Sequence, residues 1–202
     1  MSQRTYQQLA KFRMPEGFRG KPAWMVQLWW ITEALLFRPS PQFMYGWRRW
    51  LLRRFGAAVG EGAIIRPTVR TQFPWKVSIG DHAWIGDDVV LYSLGNIRIG
   101  NNAVISQKSY LCTGSHDAES PEFAIFSRPI YIADECWIAT DVYIAPGVTV
   151  GRGTLVGARS SVFKDLPPGK ICMGSPARVI KDRTTPEGES ARSQANGLDQ
   201  VR

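Results

Sequence analysis

The 202-residue sequence predicts an all-β fold, a parallel β-helix built from triangular coils. An aliphatic residue recurs every six positions, a period that fits neither an amphipathic helix nor a simply alternating strand. A small residue follows most of these positions, which favours a turn after each short extended segment. The repeat continues through most of the chain, as it does in solenoid proteins. The repeated positions are Ile79, Ile85, Leu91, Ile99, Ile105, Leu111, Ile132, Ile138, Ile144, Val150, Val156 and Val162.

Each six-residue unit predicts one side of a triangle. If three units close one coil, the aliphatic side chains stack in columns inside a prism, and each burial contributes roughly 1.5–3 kcal/mol. A single unit cannot hold itself together, so neighbouring coils must share one core. We expect irregular first coils over 60–74, with Ile65 and Val69 directed inward, and regular coils from Val77.

The sequence of residues 1–58 predicts a polar tail followed by two short helices. Residues 23–37 are rich in apolar and aromatic side chains but too short to span a bilayer, which takes about 20 apolar residues. Residues 45–55 are typical of a basic amphipathic helix. Two interpretations remain open. The helices cover the open end of the first coil or a subunit interface, or their basic face makes peripheral contact with an anionic membrane, here the inner membrane.

The net charge of +8 indicates an anionic partner, such as a phosphorylated small molecule or an acidic membrane surface. No nucleic-acid-binding module accompanies this charge, so nucleic acid is not predicted as a partner. Three cysteines without a CxxC pair, and no leading signal peptide, favour a reducing cytoplasm. We interpret Cys112, Cys136 and Cys172 as small apolar side chains rather than zinc ligands, and we expect Cys172 in the tail that follows the last repeat.

The repeat is interrupted twice. It lengthens by two residues around Leu94, and a longer stretch, 113–129, separates Leu111 from Ile132. Extra residues can leave a prism only at a corner, as a loop, and such loops carry function. After Val162 the rhythm ends, so the β-helix is predicted over 59–183 and a disordered tail over 184–202.

His116 lies at the start of the longer loop, in the sequence TGSHD. An exposed imidazole can accept the proton of a hydroxyl group during a nucleophilic attack, which predicts a general base. The second histidine, His82, falls in a corner of the repeat and is expected to be a surface residue.

The repeat, the histidine-bearing loop, the segment ECWIATDVYIAPGVTVGRGTLVGARSSVFKDLPPG and the following MGSPARVIK resemble the hexapeptide-repeat O-acetyltransferases. That family includes galactoside, maltose and nodulation acetyltransferases. The segments FRGKPAW, LFRPSP, YGWRRWLLRRFG and YLCTGSHD resemble most closely its colanic acid biosynthesis branch. The resemblance implies left-handed coils, against the usual right-handed crossover. It also implies a cytoplasmic homotrimer that transfers acetyl from acetyl-CoA to a sugar hydroxyl of an exopolysaccharide, without a metal.

The same resemblance assigns residues to the reaction. His116 matches the general base, and basic side chains near a Gly-Ser-Pro turn suit the phosphates of the coenzyme. Asp117 is expected to bind the acceptor or to shape the loop. The matches to the thioester arm and nucleotide are Trp137, Thr140, Ala158, Lys164, Arg178 and Lys181, and the acceptor candidates are Asp88, Tyr92 and Asp117.

Three other functions compete with this one. A zinc carbonic anhydrase on the same scaffold needs three histidine ligands, and the chain has two histidines. Serine acetyltransferases have a long N-terminal helical domain that this sequence does not match. The alternative from another class is a non-catalytic β-helical scaffold or membrane-tethered assembly protein, against which His116 and the MGSPARVI segment argue.

Overall fold

The computed structural model describes residues 6–184. Residues 1–5 lie outside the described residues, as does the predicted tail over 184–202 apart from its first residue. The chain forms a left-handed parallel β-helix of about six turns, preceded by a helical segment. The fold class predicted from the six-residue period is therefore confirmed.

Nineteen short strands follow one another along the described part of the chain. They are β1 (Ala58–Val59), β2 (Ile64–Ile65), β3 (Arg70–Thr71), β4 (Val77–Ile79), β5 (Trp84–Ile85), β6 (Val90–Tyr92), β7 (Ile97–Ile99), β8 (Val104–Ile105), β9 (Tyr110–Cys112), β10 (Gly114–His116), β11 (Ile125–Ser127), β12 (Ile130–Ile132), β13 (Trp137–Ile138), β14 (Tyr143–Ile144), β15 (Thr149–Val150), β16 (Leu155–Val156), β17 (Ser161–Val162), β18 (Lys170–Gly174) and β19 (Ala177–Asp182).

Three sheets form the sides of the prism. Sheet 1 contains β1, β4, β7, β12 and β15, and sheet 3 contains β3, β6, β9, β14 and β17. Sheet 2 contains β2, β5, β8, β13, β16 and β18, with β19 added antiparallel to β18. The chain passes from sheet 1 to sheet 2 at the first corner, from sheet 2 to sheet 3 at the second, and from sheet 3 back to sheet 1 at the third. Sheet 2 is therefore the side opposite the third corner.

The twelve repeated aliphatic side chains are buried as predicted, and none is more than 3% exposed. Strand pairing places them in columns, such as Ile79, Ile99, Ile132 and Val150 inside sheet 1. Ile65 and Val69 are also fully buried.

The first and last coils are more regular than the sequence suggested. β1, β2 and β3 pair in register with the next coil, so regular coils begin at Ala58 rather than Val77. Cys172 does not lie in a tail beyond the repeat. It pairs with Val156 and is fully buried at the end of the sheet 2 column, because β18 adds one more strand to that sheet.

Two helices cover the open end of the first coil. The first is α1 (Ala23–Thr32), which continues through a π-helical turn (Glu33–Phe37), and the second is α2 (Tyr45–Arg54). Short 3-10 turns lie at Leu9–Lys11 and Pro74–Lys76. The buried side chains that join the helices to the core of the prism are Trp29, Phe37, Leu51 and Leu52. We call residues 6–57 the helical cap.

Arg48 of α2 ties this cap to the prism. Its side chain is fully buried, and its Nε donates to the carbonyl oxygen of Ile65 at 2.6 Å. Its Nη atoms donate to Ser40 Oγ and to the carbonyl oxygens of Pro41 and Gln42. Burial lowers the pKa of Arg48 below its ordinary value. The side chain nevertheless remains protonated, because arginine is not deprotonated in proteins. The buried charge is thus matched by four acceptors.

Two further arginines of α2 bind the same coil. Arg49 donates to the carbonyl oxygen of Ala63, and Arg53 donates to that of Val59. The first coil has no preceding coil to hydrogen-bond with, and these side chains supply donors in its place. The geometry favours the capping interpretation for these three arginines over contact with a membrane.

No helix within residues 6–184 is long and apolar enough to cross a membrane.

Replacing Arg48 by methionine should lower the free energy of unfolding by about 2–5 kcal/mol, because two buried acceptors, the Ile65 carbonyl oxygen and Ser40 Oγ, and two part-buried carbonyl oxygens lose their donor. Urea denaturation measures the change. Arg54→Met is the matched control, since Arg54 lies on the same helix with its side chain exposed, and it should change stability little. Equal unfolding midpoints for the two variants would show that the buried arginine does not hold the cap.

Candidate active site

His116 lies on a hairpin that leaves the prism at the third corner. β10 and β11 pair antiparallel, with His116 opposite Ile125. The hairpin belongs to the predicted loop over 113–129. At its root, Arg128 N–H donates to the carbonyl oxygen of Thr113 at 2.8 Å. The Thr113 hydroxyl in turn donates to the carbonyl oxygen of Tyr92 at 2.6 Å, which fixes the hairpin to the preceding coil.

A small apolar cluster supports the hairpin from below. It contains the buried side chains of Val26, Phe73 and Leu94, against which Ile125 packs. Leu94 belongs to the two-residue extension of the repeat noted in the sequence. A Cβ on Gly114 would lie 2.4 Å from Leu94 Cδ1, so only glycine allows this close approach. The extension therefore supplies the side chain on which the histidine hairpin rests.

The imidazole of His116 is held on one edge and one face. Nδ1 lies 2.7 Å from the carbonyl oxygen of Phe123, and the two rings stack with centroids 3.9 Å apart and an angle of 12°. The ring of Phe12, from the helical cap, lies 5.9 Å away on a tilted plane. Because a carbonyl oxygen can only accept, Nδ1 must carry the proton, and Nε2 of the neutral ring keeps its lone pair.

A cavity of about 510 Å³ opens beside His116. The acidic Asp117 and the basic Arg128 both line this cavity. The carboxylate of Asp117 accepts the backbone N–H of Glu119 at 2.9 Å, so this residue shapes the turn of the hairpin while lining the cavity. The site can thus hold a polar molecule next to a free imidazole nitrogen.

Trp137, Thr140 and Ala158 lie close together on a different part of the prism. Trp137 stands on the outer face of sheet 2, 44% exposed, and its indole N–H donates to Ser106 Oγ at 3.1 Å. Thr140 and Ala158 occupy equivalent places on successive coils at the second corner. The Thr140 hydroxyl donates to the carbonyl oxygen of Gln107 at 3.0 Å, and Ala158 is exposed.

Two of the three basic side chains predicted to bind the coenzyme lie in this region. Arg178 and Lys181 are exposed on β19, and the turn before β19 is tied to the second corner because Gly174 N–H donates to Ser160 Oγ at 3.0 Å. Lys164 lies instead at the third corner of a later coil. Within residues 6–184, none of these three side chains forms an ion pair.

The structure does not bring the predicted coenzyme residues to His116 within one chain. The hairpin leaves at the third corner, whereas Trp137 stands on sheet 2, the side opposite that corner. Lys164 shares the corner of the hairpin, and Thr140 with Ala158 lies at the second corner. One chain therefore carries two groups of candidate residues on separate parts of the prism, which we call the His116 half-site and the Trp137 half-site.

The acceptor candidates divide in the same way. Tyr92 lies at the third corner beside the root of the hairpin, where it also lines a cavity of about 240 Å³ at the junction with the helical cap. Asp88 is exposed at the second corner and has a φ of +58°. Its backbone N–H donates to Thr68 Oγ1 at 2.8 Å. Tyr92 and Asp117 thus belong to the His116 half-site, and Asp88 belongs to the Trp137 half-site.

A row of aromatic rings runs from Tyr92 along sheet 3. Its members are Tyr92, Tyr110, Tyr143 and Phe163, with successive centroids 5.8–6.3 Å apart. Burial, with a smaller contribution from the neighbouring Cys112, raises the pKa of Tyr110 and of Tyr143 to about 12. These phenols stay protonated near neutral pH and can donate hydrogen bonds but cannot serve as bases there.

Sequence reasoning missed three residues of the His116 half-site. Phe123 supplies the carbonyl oxygen and the stacking ring, Phe12 flanks the imidazole, and Arg128 lines the cavity. Phe123 adopts a left-handed φ of +56°, a conformation that sequence does not favour for phenylalanine. The sequence signal for Phe123 is that the loop contains aromatic residues. The six-residue period gives no information about the roles of residues in a loop.

No protein-family model matches the chain. A curated relative, the Escherichia coli (strain K12) protein assigned as colanic acid biosynthesis acetyltransferase WcaF, is 58% identical over 181 residues, covering 90% of this chain and all of the relative. The chain belongs to the hexapeptide-repeat acetyltransferases. That identity extends through the helical cap as well as the coils, which places this acetyltransferase in the colanic acid biosynthesis branch of its family.

Solved structures resemble this acetyltransferase over most of its length. A galactoside acetyltransferase in complex with coenzyme A is 28% identical, with a TM-score of 0.75 over 85% of this chain and 84% of that one. A Vibrio cholerae hexapeptide-repeat acetyltransferase complexed with acetyl-CoA is 26% identical, with a TM-score of 0.71 over 84% and 89% of the two chains.

The neutral His116 ring should be the Nδ1–H tautomer, because Nδ1 faces a carbonyl oxygen that cannot donate. Nitrogen-15 NMR of ring-labelled protein above the titration range of histidine distinguishes the two tautomers. The His82→Asn variant leaves a single histidine and so assigns the signal. A predominant Nε2–H tautomer would contradict the geometry of the hairpin.

Proposed function

We propose that this acetyltransferase transfers the acetyl group of acetyl-CoA directly to a sugar hydroxyl, with His116 as the general base. The observation that carries the proposal is the orientation of the ring. Its Nδ1–H is donated to the Phe123 carbonyl oxygen, and Nε2 is the nitrogen left available beside an open cavity. A general base needs its tautomer fixed, and the hydrogen bond from Nδ1–H to this carbonyl oxygen does that.

In this mechanism, Nε2 takes the proton of the acceptor hydroxyl as its oxygen attacks the thioester carbonyl carbon. The new C–O bond gives a tetrahedral oxyanion, which main-chain amides at the edge of a coil can stabilise. Collapse of this intermediate breaks the C–S bond. The imidazolium then returns its proton to the departing thiolate, which leaves as coenzyme A. The route uses neither a covalent acyl-enzyme nor a metal ion.

Acetyl-CoA is assigned to the outer face of sheet 2 and the second corner. Exposed Trp137 offers an apolar surface to the thioester arm, and Thr140 and Ala158 present small side chains along which a pantetheine chain can lie against the backbone. Arg178 and Lys181 are cations whose charge no carboxylate within residues 6–184 neutralises, which suits phosphate groups. Two structural neighbours were solved as complexes with acetyl-CoA or coenzyme A, which supports acetyl-CoA as the acetyl donor.

A complete site then needs two chains, and we assign a homotrimer with three shared sites. The hairpin of one chain would meet sheet 2 of the next, which a ring of three copies allows at every interface. Lys164 shares the corner of the hairpin, so it would approach the coenzyme from the chain that supplies His116.

The acceptor is proposed to be a sugar of an exopolysaccharide or its precursor. The support is the 58% identical relative assigned to colanic acid biosynthesis. Tyr92 and Asp117 from the hairpin side, and Asp88 from the adjacent chain, would bind sugar hydroxyls. A cytoplasmic location is part of this proposal, because three free thiols suit a reducing compartment.

His116→Ala should lower kcat by about 10²–10⁴, the usual contribution of a general base, with little change in the KM for acetyl-CoA. A coupled assay of coenzyme A release measures both constants. His82→Asn is the matched control. His82 is exposed at φ +55°, a conformation that asparagine tolerates, so this variant should keep wild-type turnover. A His116→Ala enzyme within twofold of wild-type kcat would exclude the proposed base.

Mixed trimers test the shared site. Chains with His116→Ala and chains with Trp137→Ala, each nearly inactive alone at low acetyl-CoA, should regain about one quarter of wild-type activity when assembled in equal amounts, because one interface in four combines an intact hairpin with an intact sheet 2. Mixed trimers purified through different tags on the two chains should reach about one third, because each of them has one such interface in three. Activity that stays at the average of the two parents would place each site within a single chain.

A further inference from the structure

α1 is apolar on both of its faces. The face that includes Trp29 is buried against the prism, yet the opposite face is exposed to solvent. Its side chains recur at intervals of four, three and four residues, which puts them on one side of the helix and its π-helical continuation. The exposed face consists of Trp24, Leu28, Ile31 and Leu35, between 46% and 67% exposed. An apolar helix face of this length usually packs against something.

Other exposed apolar side chains lie in the same part of the chain. Trp50 on α2 is 49% exposed and stacks on Trp47 with ring centroids 5.1 Å apart. Phe43, between the two helices, is 79% exposed. Large aromatic side chains of this kind are enriched where a protein meets the interface of a bilayer.

The net charge of the chain is concentrated in the N-terminal segment that carries this surface, although three arginines of α2 in that segment point toward the prism. Residues 1–60 contain ten lysines and arginines and two glutamates, whereas residues 61–202 contain fifteen basic and fifteen acidic residues. The whole net charge of +8 therefore comes from the end of the chain that carries α1. Lys21 precedes α1 and Arg38 follows its continuation, both with exposed side chains.

The acidic residue of this helix does not offset that charge at the surface. Glu33 points toward the prism, where its carboxylate accepts the backbone N–H of Thr71 at 2.8 Å. Burial is the main cause that raises its pKa above the ordinary value. The exposed face of α1 therefore presents apolar side chains flanked by cations.

We propose that this face of α1 docks on an anionic phospholipid surface. A lipid surface gains from both features, since the apolar side chains enter the acyl boundary and the cations meet charged headgroups. A second copy of the chain would instead bring two strongly positive segments together, which repulsion disfavours. A docked enzyme would meet acceptors that are carried on lipid.

Co-sedimentation of the whole protein with vesicles tests the proposal. The protein should bind vesicles that contain phosphatidylglycerol, bind those of phosphatidylcholine alone more weakly, and lose affinity as salt is raised. Ile31→Gln should weaken binding by roughly three- to tenfold, because an apolar side chain is lost from the lipid interface. Leu35→Gln should act in the same direction.

Ile180→Gln is the matched control, because Ile180 on β19 and Ile31 are each 56% exposed. It should bind vesicles as the wild type does. His116→Ala should also bind normally, so that failure of this proposal and failure of the catalytic one are distinguishable. Absence of binding at low salt, or equal binding by wild type and Ile31→Gln, would overturn the proposal. A smaller oligomer in Ile31→Gln would show that the face joins copies of the chain instead.

Discussion

Burial of aliphatic side chains in three internal columns is the constraint on which the structure depends. Each strand is only two or three residues long over most of the prism, so it is stable only between its neighbours. With every inward position filled, additional residues can leave only at a corner. The hairpin with His116 leaves at the third corner for this reason, and Leu94, itself part of an insertion at that corner, supports it. The position of the catalytic candidate thus follows from the packing of the core.

Each end of the prism has a coil without a neighbour on one side, and the two ends are covered in different ways. At the N-terminal end, Arg48, Arg49 and Arg53 donate to carbonyl oxygens that have no strand above them. At the C-terminal end, β18 extends sheet 2 and β19 folds back on it, which buries Cys172. Covering the N-terminal end requires helices, and the outer surface of α1 combines exposed apolar side chains with the flanking cations Lys21 and Arg38. Capping therefore creates the surface to which we assign lipid binding.

The sequence predicted the columns, the corners and the extruded loop because each depends on a fixed period or on its interruption. It did not predict the contact between His116 and Phe123, since that contact needs a left-handed phenylalanine in an irregular turn. The hydrogen bond from Arg48 to the Ile65 carbonyl oxygen was also not predicted. The charge pattern of a helix does not show which of its sides packs against the rest of the protein. Cys172 was placed outside the core, since the Pro-Pro sequence before it breaks the period. The missed features all depend on contacts distant in sequence or on unusual backbone conformations.

We propose that two chains complete each site, with His116 from one and Trp137 from the other. A crystal structure of the assembled protein with coenzyme A would show this arrangement. The sulfur should lie beside Trp137 of one chain and within about 3–4 Å of His116 Nε2 of the next. Coenzyme A bound beside Trp137 with no imidazole from any chain near its sulfur, or bound wholly within the His116 half-site of one chain, would contradict it.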